Sequence, residues 1–351
     1  MDIKEFLKEL SNSISVSGHE TEVSEYIVSK FKNYCDEIEI DKLGNVISIK
    51  KGQNNKSNLK IMLAAHMDEI GLMVKDIEDS GFIRFTSVGG VDPRTLLAQE
   101  VIVKGKEELF GVISTIPPHL QDKSESNKAI DMEDLVIDIG IEKDKVKELV
   151  SIGDIITINR KFEQLQGDTV TGKSLDDKAG VATMLQCAKE LEKLNHQADV
   201  YFVSTIQEEV GTRGAIVSTY NVNPDIGIAI DVGFGKTPEL DTEDSINMGK
   251  GPAITLGGNI HPTLREKLVN IAKEYNIPYQ YEVETGPTGT DGRSIQISRA
   301  GVPCLVISLP LRYMHTSVET INLNDIKNSS NLIARFISEI DSDSLEGYLC
   351  Y

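Results

Sequence analysis

The segment "LKIMLAAHMDEIGLMV" (residues 59–74) sets His66 and Asp68 two positions apart at the mouth of an apolar run that reads as a buried strand. Positions i and i+2 of an extended chain point to the same side. The carboxylate can therefore fix the tautomer and orientation of the imidazole, which is how a metal-ligating histidine is ordinarily supported. A core histidine held by one hydrogen bond is the plain alternative. Further along, Glu208 and Glu209 follow "YFVSTI", Asp231 follows "IGIAI", and His315 lies in the loop after "CLVISLP". Asp176 and Asp177 stand at the start of the helical run "KAGVATMLQCAKEL", a position that the helix dipole alone also favours for acidic residues. Several carboxylates on one rim repel one another unless cations hold them together. Two imidazoles with three or four carboxylates, and no thiolate, suit zinc, cobalt or manganese. With five ligands, one carboxylate can bridge two ions, and two ions about 3.5–4 Å apart can share a water, lower its pKa and polarise a carbonyl oxygen. That is the chemistry of a hydrolase.

The elements that must deliver these groups are legible in outline. Two amphipathic stretches, "IKEFLKEL" and "ETEVSEYIVSKFKNY", open the chain as surface helices. Strand-like runs follow at "NVISIK" and "LKIMLAA". From about residue 70 to about 163 the style changes to short β-rich runs such as "FIRFTSV", "EVIVKG", "LFGVIST", "LVIDIG" and "DIITIN", separated by Gly, Pro and charged turns, with helical periodicity only in "KDKVKELV". Beyond that, helix and strand alternate, and "DVYFVSTI", "IGIAID" and "PCLVISLP" are near-continuous apolar strands of a mostly parallel sheet covered on both faces. The expected fold class is α/β: a mostly parallel central sheet flanked by helices, with an inserted small β-barrel-like domain. The expected division is a catalytic domain of residues 1–69 and 164–351 and an inserted β-rich domain of 70–163. In an open α/β sheet the carboxyl ends of the strands form the ligand crevice, so four strands bring His or carboxylate to one rim. "QDKSESNK" (121–128) reads as a mobile loop.

Composition bounds the partners. The chain has 351 residues, 40% of them hydrophobic, and a net charge of -19, which argues against a nucleic-acid or anionic-membrane partner because both require clustered Lys and Arg. Cys35, Cys187, Cys304 and Cys350 show no C-x-x-C spacing and fit reduced thiols. No apolar run approaches bilayer length and the N-terminus has no signal-peptide core, so a soluble, cytoplasmic protein is expected. Of the remaining histidines, His19, His196 and His261 read as non-ligands, and His119 as structural or interfacial.

In order along the chain, "HMDEIGLMV", "SLDDKAGVA", "QEEVGTRGA", "DVGFG" and "RYMHTSVE" resemble the successive metal-site motifs of the M42 family of dinuclear metalloaminopeptidases, and "SVGG", "GVISTIPPHL", "VIDIG" and "GPTGTDGRSIQISRAGVP" extend the resemblance over nearly the whole chain. The resemblance implies that Asp176 bridges two divalent ions, zinc or cobalt with manganese also acceptable. His66 and Asp231 would complete one site, Glu209 and His315 the other. It further implies that Asp68 orients His66, that Glu208 is the general base for a metal-bridging water, and that Asp177, after a peptide often cis in such enzymes, serves geometry more than ligation. Arg293 and Arg312 are candidates for contact with a substrate carboxylate or the reaction oxyanion. The substrates implied are peptides, shortened from the N-terminus, and the implied assembly is a homo-oligomer in which the inserted domain pairs subunits and dimers build a tetrahedral dodecamer.

Some relatives carry the label endoglucanase or cellulase M, which makes an endo-β-1,4-glucanase the first alternative. A glycosidase needs two carboxyls flanking the sugar bond, usually with aromatic platforms. This chain has no Trp, and its carboxylates come with histidines. A non-catalytic assembly scaffold is the second alternative, and no proposed ligand is missing to favour it.

Overall fold

The computed structural model describes residues 2–53, 58–117, 119, 129–241, 243–341, 345 and 347. The expected mobile loop 121–128 and Cys350 lie outside the described residues.

Two helices open the chain, α1 (Ile3–Asn12) and α2 (Thr21–Phe31). Their apolar residues recur at helical spacing and are buried: Ile3, Phe6, Leu7 and Leu10 in α1, and Val23, Ile27 and Phe31 in α2. Asp2 caps α1 by accepting from the Lys4 backbone N–H. Three strands follow, β1 (Glu37–Ile40), β2 (Val46–Lys50) and β3 (Lys60–His66). The chain then leaves the main sheet.

Strands β4 (Gly71–Ile77), β5 (Ile83–Val88), β6 (Glu100–Lys104), β7 (Glu108–Ser114), β8 (Val136–Asp138) and β9 (Ile155–Ile158), with the helix α3 (Lys143–Leu149) before the last, make a separate body. All six pair antiparallel in the order β4-β5-β8-β7-β6-β9 and close into a barrel. Closure leaves no open edge. Alternate residues such as Val101, Val103, Ile113, Ile137 and Ile156 point inward to a core of their own, distinct from that of the main sheet.

The chain returns through β10 (Glu163–Gln164), β11 (Thr169–Gly172), α4 (Leu175–Glu190), β12 (Asp199–Thr205), α5 (Arg213–Val222), β13 (Ile226–Phe234), β14 (Ala253–Gly257), α6 (Pro262–Glu274), β15 (Gln280–Glu284), α7 (Gly292–Gln296), β16 (Cys304–Arg312), β17 (Glu319–Asn322) and α8 (Leu323–Glu339). The sheet runs β1-β2-β12-β3-β13-β16-β17-β11-β10, with β14 and β15 branching from β16. Its centre, β12-β3-β13-β16, is parallel, and those four strands are buried nearly throughout. The pairs that flank this centre are antiparallel, and parallel pairing of strands recurs only in the β14–β15 branch among the described residues. Helices α1, α4, α6 and α8 pack together against the sheet, and α5 packs with α7. No helix among the described residues is long and apolar enough to cross a membrane.

Glu69 ties the barrel to the rest. It is buried at the exit from β3 and accepts from the Ser15 backbone N–H at 3.0 Å and from Thr157 Oγ1 of the barrel at 3.2 Å. Lys173 Nζ donates to its other oxygen, with Lys178 Nζ 3.6 Å away. Burial alone would push the Glu69 carboxyl up, but the two lysines hold it at about 2. Removing one partner from a buried pair of this kind costs about 3–5 kcal/mol. The chain's crossing from sheet to barrel is thus pinned beside His66 and Asp68.

Candidate metal centre

The parallel strands end side by side, and their ends carry the ionisable groups. His66 is the last residue of β3, and its register partner on β12 is Thr205, three residues before Glu208. Asp231 lies inside β13, opposite Ser308 of β16, rather than after the strand as its sequence suggests. His315 sits just past β16 with φ at +59°, in the left-handed region that histidine tolerates better than most residues.

Asp176 joins the two histidines. Its Oδ1 is 3.1 Å from His66 Nε2, and its Oδ2 is 3.3 Å from His315 Nε2. Glu209 Oε1 lies 3.4 Å from the same His315 nitrogen. Two groups of three donors result, His66 with Asp176 and Asp231, and Asp176 with Glu209 and His315, each with its ligand atoms within 4.8 Å of one another. Asp177 belongs to neither group. It is buried, its Oδ1 accepts from the Gly180 backbone N–H at 2.9 Å, and its Oδ2 has no hydrogen-bond partner. The Asp176–Asp177 peptide is cis.

The residues around the donors fix their orientation. His66 Nδ1 lies 3.1 Å from the carbonyl oxygen of Asp68 and 3.6 Å from its carboxylate, so the main-chain oxygen, rather than the expected side chain, is the hydrogen-bond acceptor. The Asp68 carboxylate is taken up elsewhere. It accepts from the backbone N–H groups of Glu208 at 3.0 Å and Glu209 at 3.2 Å, and from Ser17 Oγ at 2.6 Å. Glu319 plays a similar part across the site, accepting from the backbone N–H of Asp176 at 3.1 Å and of His315 at 2.9 Å. His315 Nδ1 is 3.0 Å from the carbonyl oxygen of Gly90, in the loop after β5 of the barrel. Imidazoles held through one nitrogen, leaving the other for a ligand, are the usual support of a metal centre.

The electrostatics fit a cation. Burial pushes Asp231, Asp177 and Glu319 well above the usual carboxylate range and Glu208 up to about 8. Hydrogen bonds to Asp176 and Glu209 hold His315 up at about 11. Positive charge is what this cluster of buried acids favours, and the mixture of imidazole and carboxylate without thiolate suits a borderline divalent ion.

An open cleft of ≈ 220 Å³ is lined by His66, Asp176, Glu208, Glu209, Asp231 and His315. A second, much smaller cavity of ≈ 40 Å³ shares Asp176, Glu209 and His315 with it and is walled by Leu72, Val91 and Leu96 of the barrel. Glu208 faces the first cleft and is in neither donor group.

Other expected candidates lie elsewhere. Arg312 Nε donates to the Lys236 carbonyl at 2.7 Å, and Arg293 is exposed on α7; neither lines the cleft. His196 is buried against the Ala198 carbonyl, His261 caps α6, and His19 and His119 are exposed. Two supporting residues had no assigned role in the sequence reading. Glu319 closes the motif "RYMHTSVE", four residues after His315. Asp291, in "GTDG", is buried and accepts from Thr205 Oγ1 at 2.6 Å, behind the site.

A profile described as M42 glutamyl aminopeptidase matches residues 44–332. A lysyl aminopeptidase of Pyrococcus furiosus is 38% identical over 341 residues, 96% of this chain and 97% of that protein. Among solved structures, an aminopeptidase from Desulfurococcus kamchatkensis superposes with a TM-score of 0.92 at 38% identity, covering 99% of this chain and 98% of the other. The Pyrococcus horikoshii TET1 peptidase, described as assembling into a tetrahedron or a large octahedral shell, superposes with a TM-score of 0.85 at 34% identity, covering 97% of this chain and all of the other.

Proposed function

Because this chain belongs to the M42 family of aminopeptidases, we propose that it removes N-terminal residues from peptides with two divalent cations bridged by Asp176 and with Glu208 as the general base. The observation that supports this reading is the division of one carboxylate between two histidines, Oδ1 towards His66 and Oδ2 towards His315, each within a separate three-donor group. His66 and Asp231 complete one site; Glu209 and His315 complete the other. Zinc and cobalt suit these ligands best, and manganese also accepts them. Bound there, the cations would lower the pKa of water and polarise the scissile carbonyl.

The remaining work falls to the chain itself. Asp68 holds the backbone of both glutamates at once, so Glu209 turns to its donor group while Glu208, the next residue, faces the cleft. Glu208 takes the proton from the attacking water and passes it to the leaving amine. Glu319 keeps Asp176 and His315 in register, and Asp177 caps the helix behind the site at Gly180.

An assay of aminoacyl p-nitroanilides beside carboxymethylcellulose tests the reading. Anilide hydrolysis that stops with chelator and returns with zinc or cobalt is expected, with no release of sugar. Chelator-insensitive cleavage of the glucan would contradict it.

The barrel enters this account through Gly90. A Cβ there would lie 2.8 Å from His315 Nδ1, and one at Gly89, where φ is +79°, would meet Glu209 Cβ at 3.3 Å and Ile70 at 2.9 Å. Gly90→Ala is therefore expected to displace the imidazole and weaken one of the two cations by about 10- to 100-fold, the usual effect of losing an outer-shell partner. Titration of stripped protein with zinc should resolve one weakened site and one of native affinity.

The inserted region 70–163 is, in this reading, a dimerisation domain, and the two parts 1–69 and 164–351 form the catalytic domain. Phe110 and Val112 on the outer face of β7 and Ile116 just beyond it are 52, 40 and 61% exposed, an apolar stripe of the kind a second subunit covers. Dimers then build a larger closed homo-oligomer, which light scattering of metal-loaded protein should register as a species well above the 38.6 kDa chain. A cytoplasmic location agrees with the free thiols of Cys35, Cys187 and Cys304.

A further inference from the structure

Past His66 and Asp231, the cleft continues along the β14–β15 branch of the sheet, and this far end has a chemistry of its own. On β15, Tyr281 and Val283 face outward, 49 and 66% exposed, while Glu282 and Glu284 alternate with them and turn into the cleft. Glu282 Oε2 accepts from Ser308 Oγ at 2.5 Å. Its Oε1 occupies space beside Gly233, where a Cβ would come within 2.6 Å, so the missing side chain two residues after Asp231 is what admits this carboxylate to the cleft floor. Thr255, the register partner of Glu282, also lines the cleft; it is fully buried and its hydroxyl has no hydrogen-bond partner. No Lys or Arg is among the described residues lining the cleft.

Building on the two-cation aminopeptidase reading, we propose that this far end receives the side chain of the substrate's N-terminal residue and selects a basic one, lysine or arginine. A long cationic side chain extends from the metal-bound end along Val232 and Met314 and sets its charged head between Glu282 and Glu284, where it also supplies the partner that the Thr255 hydroxyl lacks. An acidic side chain meets two like charges there. An aliphatic one leaves a half-buried carboxylate desolvated and unpaired, and a site built for a charged partner rejects ligands without it.

Full-length protein loaded with zinc or cobalt is assayed on lysine, arginine, leucine and glutamate p-nitroanilides. The expected kcat/KM for lysine and arginine exceeds that for leucine by about tenfold or more, with glutamate lowest. Glu282→Gln should reduce the lysine-to-leucine ratio by about tenfold, chiefly through KM, and Glu284→Gln should reduce it in the same direction. Preference of the native enzyme for glutamate or leucine would overturn the assignment. So would an equal loss on all four substrates in Glu282→Gln, which would put that carboxylate against the substrate's α-ammonium instead. Should Glu282→Gln fail to fold, the native ranking and Glu284→Gln still decide. Cation-loaded protein inert towards all four substrates would sink the aminopeptidase reading itself, a result distinct from an altered ranking.

Discussion

Glu208→Gln will lower kcat by roughly 10²- to 10⁴-fold, the usual contribution of a positioned general base, and will leave both cations bound. The substitution is isosteric and keeps the backbone N–H that donates to Asp68, so the neighbouring Glu209 stays where it is. What is lost is an acceptor facing the cleft beside His66 and Asp231. The two glutamates are adjacent and carry the same side chain, and their directions separate them: Glu209 lies 3.4 Å from His315 Nε2, while Glu208 lies in neither donor group. Steady-state kinetics together with metal analysis of the same preparation separates the roles. Loss of a cation with Glu208→Gln, and retention of both with Glu209→Gln, would reverse the assignment.

Asp176→Ala will abolish binding of both cations at once, and activity with them. Every other donor belongs to one group; Asp176 belongs to both, through different oxygens. Its loss should exceed the roughly 10- to 100-fold penalty of an outer-shell change, whereas Asp231→Ala and Glu209→Ala should each release one ion. Thermal unfolding provides a readout independent of activity, because a ligand at one hundred times its Kd stabilises a folded protein by about 2.7 kcal/mol. Zinc should raise the melting temperature of the native enzyme and leave that of Asp176→Ala unchanged. An Asp176→Ala protein that still takes up two zinc ions would show that the carboxylate is not shared.

The sequence discloses most of the donors because each stands at or near the end of a strand whose apolar character is unmistakable, as "IMLAA" before His66 and "IGIAI" before Asp231. The barrel is equally legible, since its strands are short and separated by Gly and charged turns. Long-range pairings are another matter. The i, i+2 spacing of His66 and Asp68 suggests a mutual hydrogen bond, yet the Asp68 carboxylate stays 3.6 Å from the imidazole and accepts instead from Ser17 and from the backbone of a loop 140 residues away. Gly90 lies 225 residues from the histidine it supports, with nothing local to announce the contact. Glu319 sits in a motif whose histidine draws the attention, and its role as a double backbone acceptor emerges only when β17 pairs beside α4. Strand β15 is the clearest inversion. "QYEVE" alternates in the ordinary way, but Tyr281 and Val283 face outward and the glutamates line the cleft, because this strand borders a polar cavity rather than the core.

The most direct test is anomalous diffraction from crystals of the full-length protein grown with zinc. A centre that shares Asp176 predicts two peaks per chain, one bound by His66, Asp231 and Asp176 and the other by Glu209, His315 and the second oxygen of Asp176, at about 2.0–2.2 Å from their ligands. A single peak, or zinc bound away from these five residues, would contradict it.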